Sequence, residues 1–276
     1  MELRASRPAL SPLAAELRTA APDRFLTALF APAPLREAMM ALAGFEAATA
    51  RATQATQTLA GLARLAFWRD AIAGAGDGRM LSHPVADALR AAIVVHRLPG
   101  APFEAHLAAR EAMLTGDGFA DLEALCDHAR EVALPMLSLA CRVLDRPVPQ
   151  AAERAATALG LVALLREAIL LARAGHLALP ADLCSAAGFG AQSLAEGRNR
   201  ARIAGVVEAV ADAAGEALRG ISVPRGAAVA FLPLVPARGV LGTLARQGFD
   251  PAAAALWQPH TATRLGVLWA AMTGRV

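Results

Sequence analysis

The segment from Ala158 to Arg173 constrains this chain more than any other. It is a run of alanine, leucine, valine, isoleucine and one glycine, interrupted before its end only by the adjacent pair Arg166 and Glu167. Alanine and leucine at this density favour helix strongly. A helix that is apolar on nearly every side belongs at the centre of a helical protein. Gly175 stops it, and Pro180 opens the next element. The charge pair is the informative interruption. Arg166 must meet a carboxylate such as Glu46 or Glu167, a carbonyl, or a ligand anion, because an unpaired buried guanidinium is prohibitive.

The rest of the chain agrees with an all-α fold. Hydrophobic residues make up 56% of the 276 positions, charged residues 18%, and there is no tyrosine. No stretch alternates apolar and polar residues with period two. Every basic residue is arginine, which reads as the coding bias of a GC-rich bacterial genome. The formal charge is +3. No basic cluster is interleaved with aromatics, so a nucleic-acid partner is excluded. Weak attraction to an anionic membrane surface or an acidic partner stays open. Cys126, Cys141 and Cys184 are too few and too scattered for a disulfide framework or a zinc site, and they point to a reducing, cytoplasmic compartment. The first 21 residues carry charges throughout and do not read as a secretory signal. The longest charge-free runs contain prolines and fall short of the roughly 20 residues that span a bilayer. A mean hydropathy of +0.41 therefore predicts a greasy core or a greasy face.

Proline and glycine divide the chain up to Pro224 into about nine predicted helices. One is capped by Asp23 and ends near Phe30; another starts at Pro34 and runs past Arg51. Others cover 59–73, the stretch from Pro84 to before Pro99, 102–114, 121–144, 150–174, 180–187 and 192–218. Beyond Pro224, helices are expected near 227–246, 251–257 and 261–272. No linker or repeat divides the sequence, so residues 1–21 read as an N-terminal extension and 22–276 as one domain.

Several segments in order resemble the squalene/phytoene synthase family. They are Arg24 to Pro32, Leu42 to Phe45, Leu65-Ala-Phe-Trp68, His83-Pro-Val-Ala-Asp-Ala-Leu89, Leu179-Pro-Ala-Asp-Leu183 and Ala230-Phe-Leu-Pro-Leu234. The resemblance implies a single-domain helical bundle of the isoprenoid-synthase type around an apolar cavity. It also implies chemistry that joins prenyl diphosphates, with Mg²⁺ held between aspartates of two helical motifs. Such ligands must recur at i and i+3 or i+4 on one inward helix face.

Both motifs are eroded here. Ala50, Arg51 and Gln54 stand where the resemblance places the first aspartates, and Glu46 has only Thr49 and Ala50 at i+3 and i+4. In the second motif Glu167 matches one aspartate, but Ala163 and Leu171 flank it at i−4 and i+4. With Phe67-Trp68 and Leu164-Leu-Arg166 beside these eroded motifs, the chain more closely resembles the divergent branch that includes the mitochondrial respiratory complex I assembly factor. That branch implies a catalytically degenerate binding or assembly protein without metal or cofactor. Its expected partner is a subunit of the respiratory complex, its ligand a prenyl or lipid chain, and its place the inner face of a membrane. The alternative is an active prenyl transferase using Mg²⁺ and other acids. The cavity candidates are Phe45, Glu46, Arg51, Trp68, Arg166 and Glu167, with Arg51 either binding an anion or neutralising Glu46.

The remaining acids have plainer readings. Asp121 is expected to cap a helix. The stripes Glu123/Asp127/Glu131 and Glu208/Asp212/Glu216 read as solvated faces. His83 is expected at a helix start, and Trp257 and Trp269 in the core by default, with membrane-interface anchors as the alternative.

Overall fold

The computed structural model describes residues 10–257 and 261–276, which form fourteen α-helices and no strand. In chain order these are α1 Pro12–Ala20, α2 Pro22–Ala28, α3 Arg36–Thr53, α4 Thr58–Ala73, α5 Pro84–His96, α6 Gly100–Thr115 and α7 Leu122–Val143. There follow α8 Ala152–Arg173, α9 Ala181–Ala187, α10 Ala191–Ala195, α11 Arg200–Leu218, α12 Ala228–Phe231, α13 Leu234–Arg246 and α14 Thr261–Thr273. A 3-10 turn, Ala254–Trp257, precedes the last helix.

The segment that dominated the sequence sits at the centre. Helix α8 packs on α7 along its length and on α11, α10 and α13 on its other sides. Leu161, Leu165, Ala168 and Leu171 are fully buried in it, and each buried leucine contributes about 1.5–3 kcal/mol of hydrophobic stabilisation. Close approach of the two longest helices depends on Gly160. A Cβ there would stand 2.3 Å from the carbonyl oxygen of Ala129 on α7, a clash that only backbone movement could relieve. By length and composition α8 could also cross a membrane, but 67% of its most apolar window is buried inside the protein. Burial against neighbouring helices accounts for that composition.

Local signals fix most boundaries. Asp121 caps α7 by accepting a hydrogen bond from the Ala124 amide at 2.8 Å, and His83 caps α5 through Nδ1 and the Ala86 amide at 3.3 Å. The expected helix at 192–218 is two helices, because Gly197 and Asn199 both adopt left-handed backbone between α10 and α11. The expected helix at 227–246 breaks before Pro233 into α12 and α13. Helix α1 lies in the segment read as an extension. It packs on α3, with Leu13, Ala14 and Leu17 buried in the common core. Both acidic stripes face outward, and Asp127 spends its charge on Arg130 at 2.8 Å.

Candidate functional site: a charged cavity beside the central helix

Helices α1, α2, α3, α6, α8 and α13, with the 3-10 turn, line a partly open cavity of ≈ 440 Å³. Its wall brings together four arginines, Arg24, Arg51, Arg110 and Arg166, with three carboxylates, Asp23, Glu46 and Glu167. Arg24, Glu46, Leu159 and Pro233 also border an apolar recess of ≈ 50 Å³ that continues between Met39, Leu42, Met136 and Leu137.

Most of these charges are already matched, though not as the sequence led us to expect. Arg166 pairs with Asp23 at 3.0 Å rather than with Glu46 or Glu167, and its guanidinium lies 4.9 Å over the Trp257 ring. Asp23, expected as a helix cap, sits instead in the first turn of α2 facing Arg166. Glu46 pairs with Arg24 at 2.5 Å, not with Arg51. Among the described residues Arg51 pairs only with Glu16 on α1, at 3.7 Å. Trp257 and Trp269, expected in the core by default, are 44% and 56% exposed, and Trp257 lines the cavity.

Two cavity candidates belong elsewhere. Phe45 and Trp68 are buried in a core aromatic cluster, 5.3 Å apart edge to face, with Phe103 and His83 as further neighbours. Neither lines the cavity. Leu171 is also core. Ala50, Gln54 and Glu167, like Arg51, do line the cavity wall.

The residue that the sequence reading missed is Arg110. It is 5% exposed, lines the cavity, and among the described residues makes no hydrogen bond and no ion pair. Its Nε is buried without an acceptor. Burial presses its pKa down, while the charges of Glu167 and Glu46 partly offset this from a distance. A signal was present: Phe103, His106, Leu107, Arg110, Met113 and Leu114 form one buried stripe on α6 at helical spacing. Arg110 falls on the apolar side of its helix.

Glu167 stands opposite. Burial raises its pKa, against the lowering pull of Arg110, of the Gln54 side chain and of Arg166. Its Oε2 is buried without a partner. Among the described residues, no three His, Cys, Asp or Glu side chains come together as a metal cluster.

The squalene/phytoene synthase family profile matches residues 17–264. No curated protein sequence matches the chain. Among solved structures, squalene synthase HpnC from Alicyclobacillus acidocaldarius is similar with a TM-score of 0.67 and 19% identity, covering 87% of this chain and 94% of that one. A dehydrosqualene synthase in complex with ligand is similar with a TM-score of 0.68 and 15% identity, over 95% of this chain and 94% of that one. YisP from Bacillus subtilis follows at a TM-score of 0.64 and 16% identity, with 93% of each chain covered. At these identities the structures establish the shared all-α fold, and the profile match over nearly the whole chain establishes the family: this chain belongs to the squalene/phytoene synthase family.

Proposed function

We propose that this protein is a catalytically degenerate member of its family, acting by binding, as an assembly factor, rather than by joining prenyl diphosphates. The observation that carries the reading is the donor set of the cavity. Mg²⁺ seeks near-octahedral oxygen ligation from carboxylates and phosphate oxygens. The three carboxylates here do not form such a set. Asp23 and Glu46 are each paired with an arginine, and Glu167 is a lone acid with a raised pKa. Ala50, Arg51 and Gln54 line the same wall where the family resemblance places aspartates. The four guanidinium groups around the space outnumber its three carboxylates, so its charge does not attract a cation. The residues present do not fit Mg²⁺, and no step is derived through it.

The test is direct. Purified protein with Mg²⁺ and farnesyl or geranylgeranyl diphosphate is expected to release no pyrophosphate above the protein-free rate. Sustained Mg²⁺-dependent release would mean an active prenyl transferase.

On this reading the partner is a subunit of respiratory complex I, as the divergent branch of the family implies, and the site of action is the cytoplasmic face of the membrane. The surface of α14 supports the location. Leu265, Leu268, Trp269 and Met272 form an exposed stripe at helical spacing. Arg264 and Arg275 flank it, and Arg225 packs against Gly274 beside it. From residue 219 onward the chain has six arginines and one acid, Asp250. An apolar stripe rimmed by arginine matches an anionic lipid surface. Deleting the gene in a native host is expected to lower membrane NADH:quinone oxidoreductase activity, and Trp269→Ala to reduce sedimentation with anionic vesicles. Unchanged oxidoreductase activity in the deletion strain would remove the assembly role.

A further inference from the structure

We propose that the cavity binds, without metal, the small oxyanion head of an apolar-tailed amphiphile, with Arg110 as its principal anchor. The inference rests on the reading that the metal site is lost, and it names the ligand class for that same cavity.

Arg110 carries the argument. A buried guanidinium without a partner is strongly unfavourable, and retained ones are matched by an anion. The nearby carboxylates do not supply one. Glu46 is committed to Arg24 at 2.5 Å and Asp23 to Arg166 at 3.0 Å. Glu167 acts on Arg110 only from a distance, with no ion pair within 4.0 Å. Arg110, whose Nε has no acceptor, thus lines a space of ≈ 440 Å³ with its charge unmatched by the described residues. Guanidinium geometry suits a phosphate or carboxylate held by two parallel bonds. Arg166, fixed by Asp23 and by the Trp257 ring, presents a second cation with a buried, unmatched Nε.

Glu167 adds to this selectivity. Its buried, unpartnered Oε2 favours the protonated carboxyl as burial does, and a protonated carboxyl donates a hydrogen bond to an oxyanion. The tail has its own place. The recess of ≈ 50 Å³ between Met39, Leu42, Met136 and Leu137 takes only the first carbons of a tail, and the rest follows the apolar wall of the larger cavity along Val162, Leu170, Pro236 and Val240. A free phosphate fills only the charged half of this space, and a neutral lipid leaves Arg110 unmatched.

The experiment is calorimetric titration in EDTA with three probes: farnesyl monophosphate, inorganic phosphate and farnesol. Farnesyl monophosphate should bind the wild type tightest, and Arg110→Met should weaken it at least tenfold while leaving farnesol binding unchanged. Arg110→Lys should recover part of the loss, and circular dichroism of both variants verifies their fold. Equal affinity of wild type and Arg110→Met for farnesyl monophosphate would overturn the proposal, as would binding that needs Mg²⁺. Inorganic phosphate binding as tightly as farnesyl monophosphate would overturn the assigned tail site. Because a monophosphate has no pyrophosphate to release, this result is independent of the turnover test, and the two readings can fail separately.

Discussion

Arg90 and Arg110 are buried to the same depth, each 5% exposed, yet they sit in opposite kinds of surroundings. Arg90 on α5 is tied to the carbonyl of Gly74 and to Asp77 at the end of α4. Arg110 on α6 has no hydrogen bond and no ion pair among the described residues. The same contrast separates His106, one turn before Arg110 on that helix, from Glu167 across the cavity. His106 Nδ1 donates to the Val132 carbonyl at 2.8 Å, and its Nε2 lies 2.8 Å from the Thr49 hydroxyl. Glu167 keeps an unmatched Oε2. Buried polar groups that hold the fold together are saturated by the protein. Buried polar groups left open around a cavity are matched by something that enters it.

Substitutions should separate the two kinds. His106→Ala leaves a void, a Val132 carbonyl and a Thr49 hydroxyl without the ring, and is expected to cost about 3–5 kcal/mol. Arg90→Met strands the Gly74 carbonyl and is expected to cost about 1.5–3 kcal/mol. Arg110→Met exchanges an unpaired buried charge for an apolar chain of similar reach, so urea unfolding should show stability unchanged or raised, by about 1 kcal/mol or more. A loss as large as that for Arg90→Met would place Arg110 among the structural pairs and break the comparison.

Titration should sharpen the contrast with opposite signs. Burial holds the His106 pKa near about 3 and that of His128 near about 4, both below the ordinary 6.5. The unfolded chain therefore takes up protons that the folded chain refuses, and stability falls as pH drops below 6.5 towards those values. Glu167 works the other way. Its pKa is raised above the ordinary 4.5. As pH rises through 4.5 the unfolded chain releases a proton that the folded chain retains, so stability declines upward from there. Glu167→Gln should remove that second decline, its advantage over wild type opening above pH 4.5 and absent below it. Parallel stability–pH curves for the two proteins would contradict the assignment.

The sequence carried the fold further than the site. Proline and glycine punctuation located most helices, since a missing N–H or a left-handed turn acts locally. Where it failed, the signal was also local but misread. Asn199, in left-handed backbone, follows Gly197 by two residues, and Pro233 was passed over as part of one apolar stretch. The charge network was less legible because its pairs are distant in sequence. Asp23 and Arg166 are 143 positions apart, and no periodicity connects them. Glu46 found Arg24 and not Arg51 for the same reason: α2 crosses α3 on the cavity side. Phe45 lies next to Glu46 and Trp68 within a segment that carries the family resemblance, yet helical phase turns both into the core. Arg110 was readable in principle. Its place on the buried stripe of α6 conflicts with its charge, and such local conflicts are where functional sites concentrate.

The central claim is that arginine, with Arg110 foremost, does in this cavity what metal-bound carboxylates do elsewhere in the family. One titration tests it most directly: farnesyl diphosphate added to the wild-type protein, once in Mg²⁺ and once in EDTA. The account predicts the same affinity in both, and a loss of at least tenfold in both for Arg110→Met. Affinity that collapses on chelation while surviving Arg110→Met would contradict it.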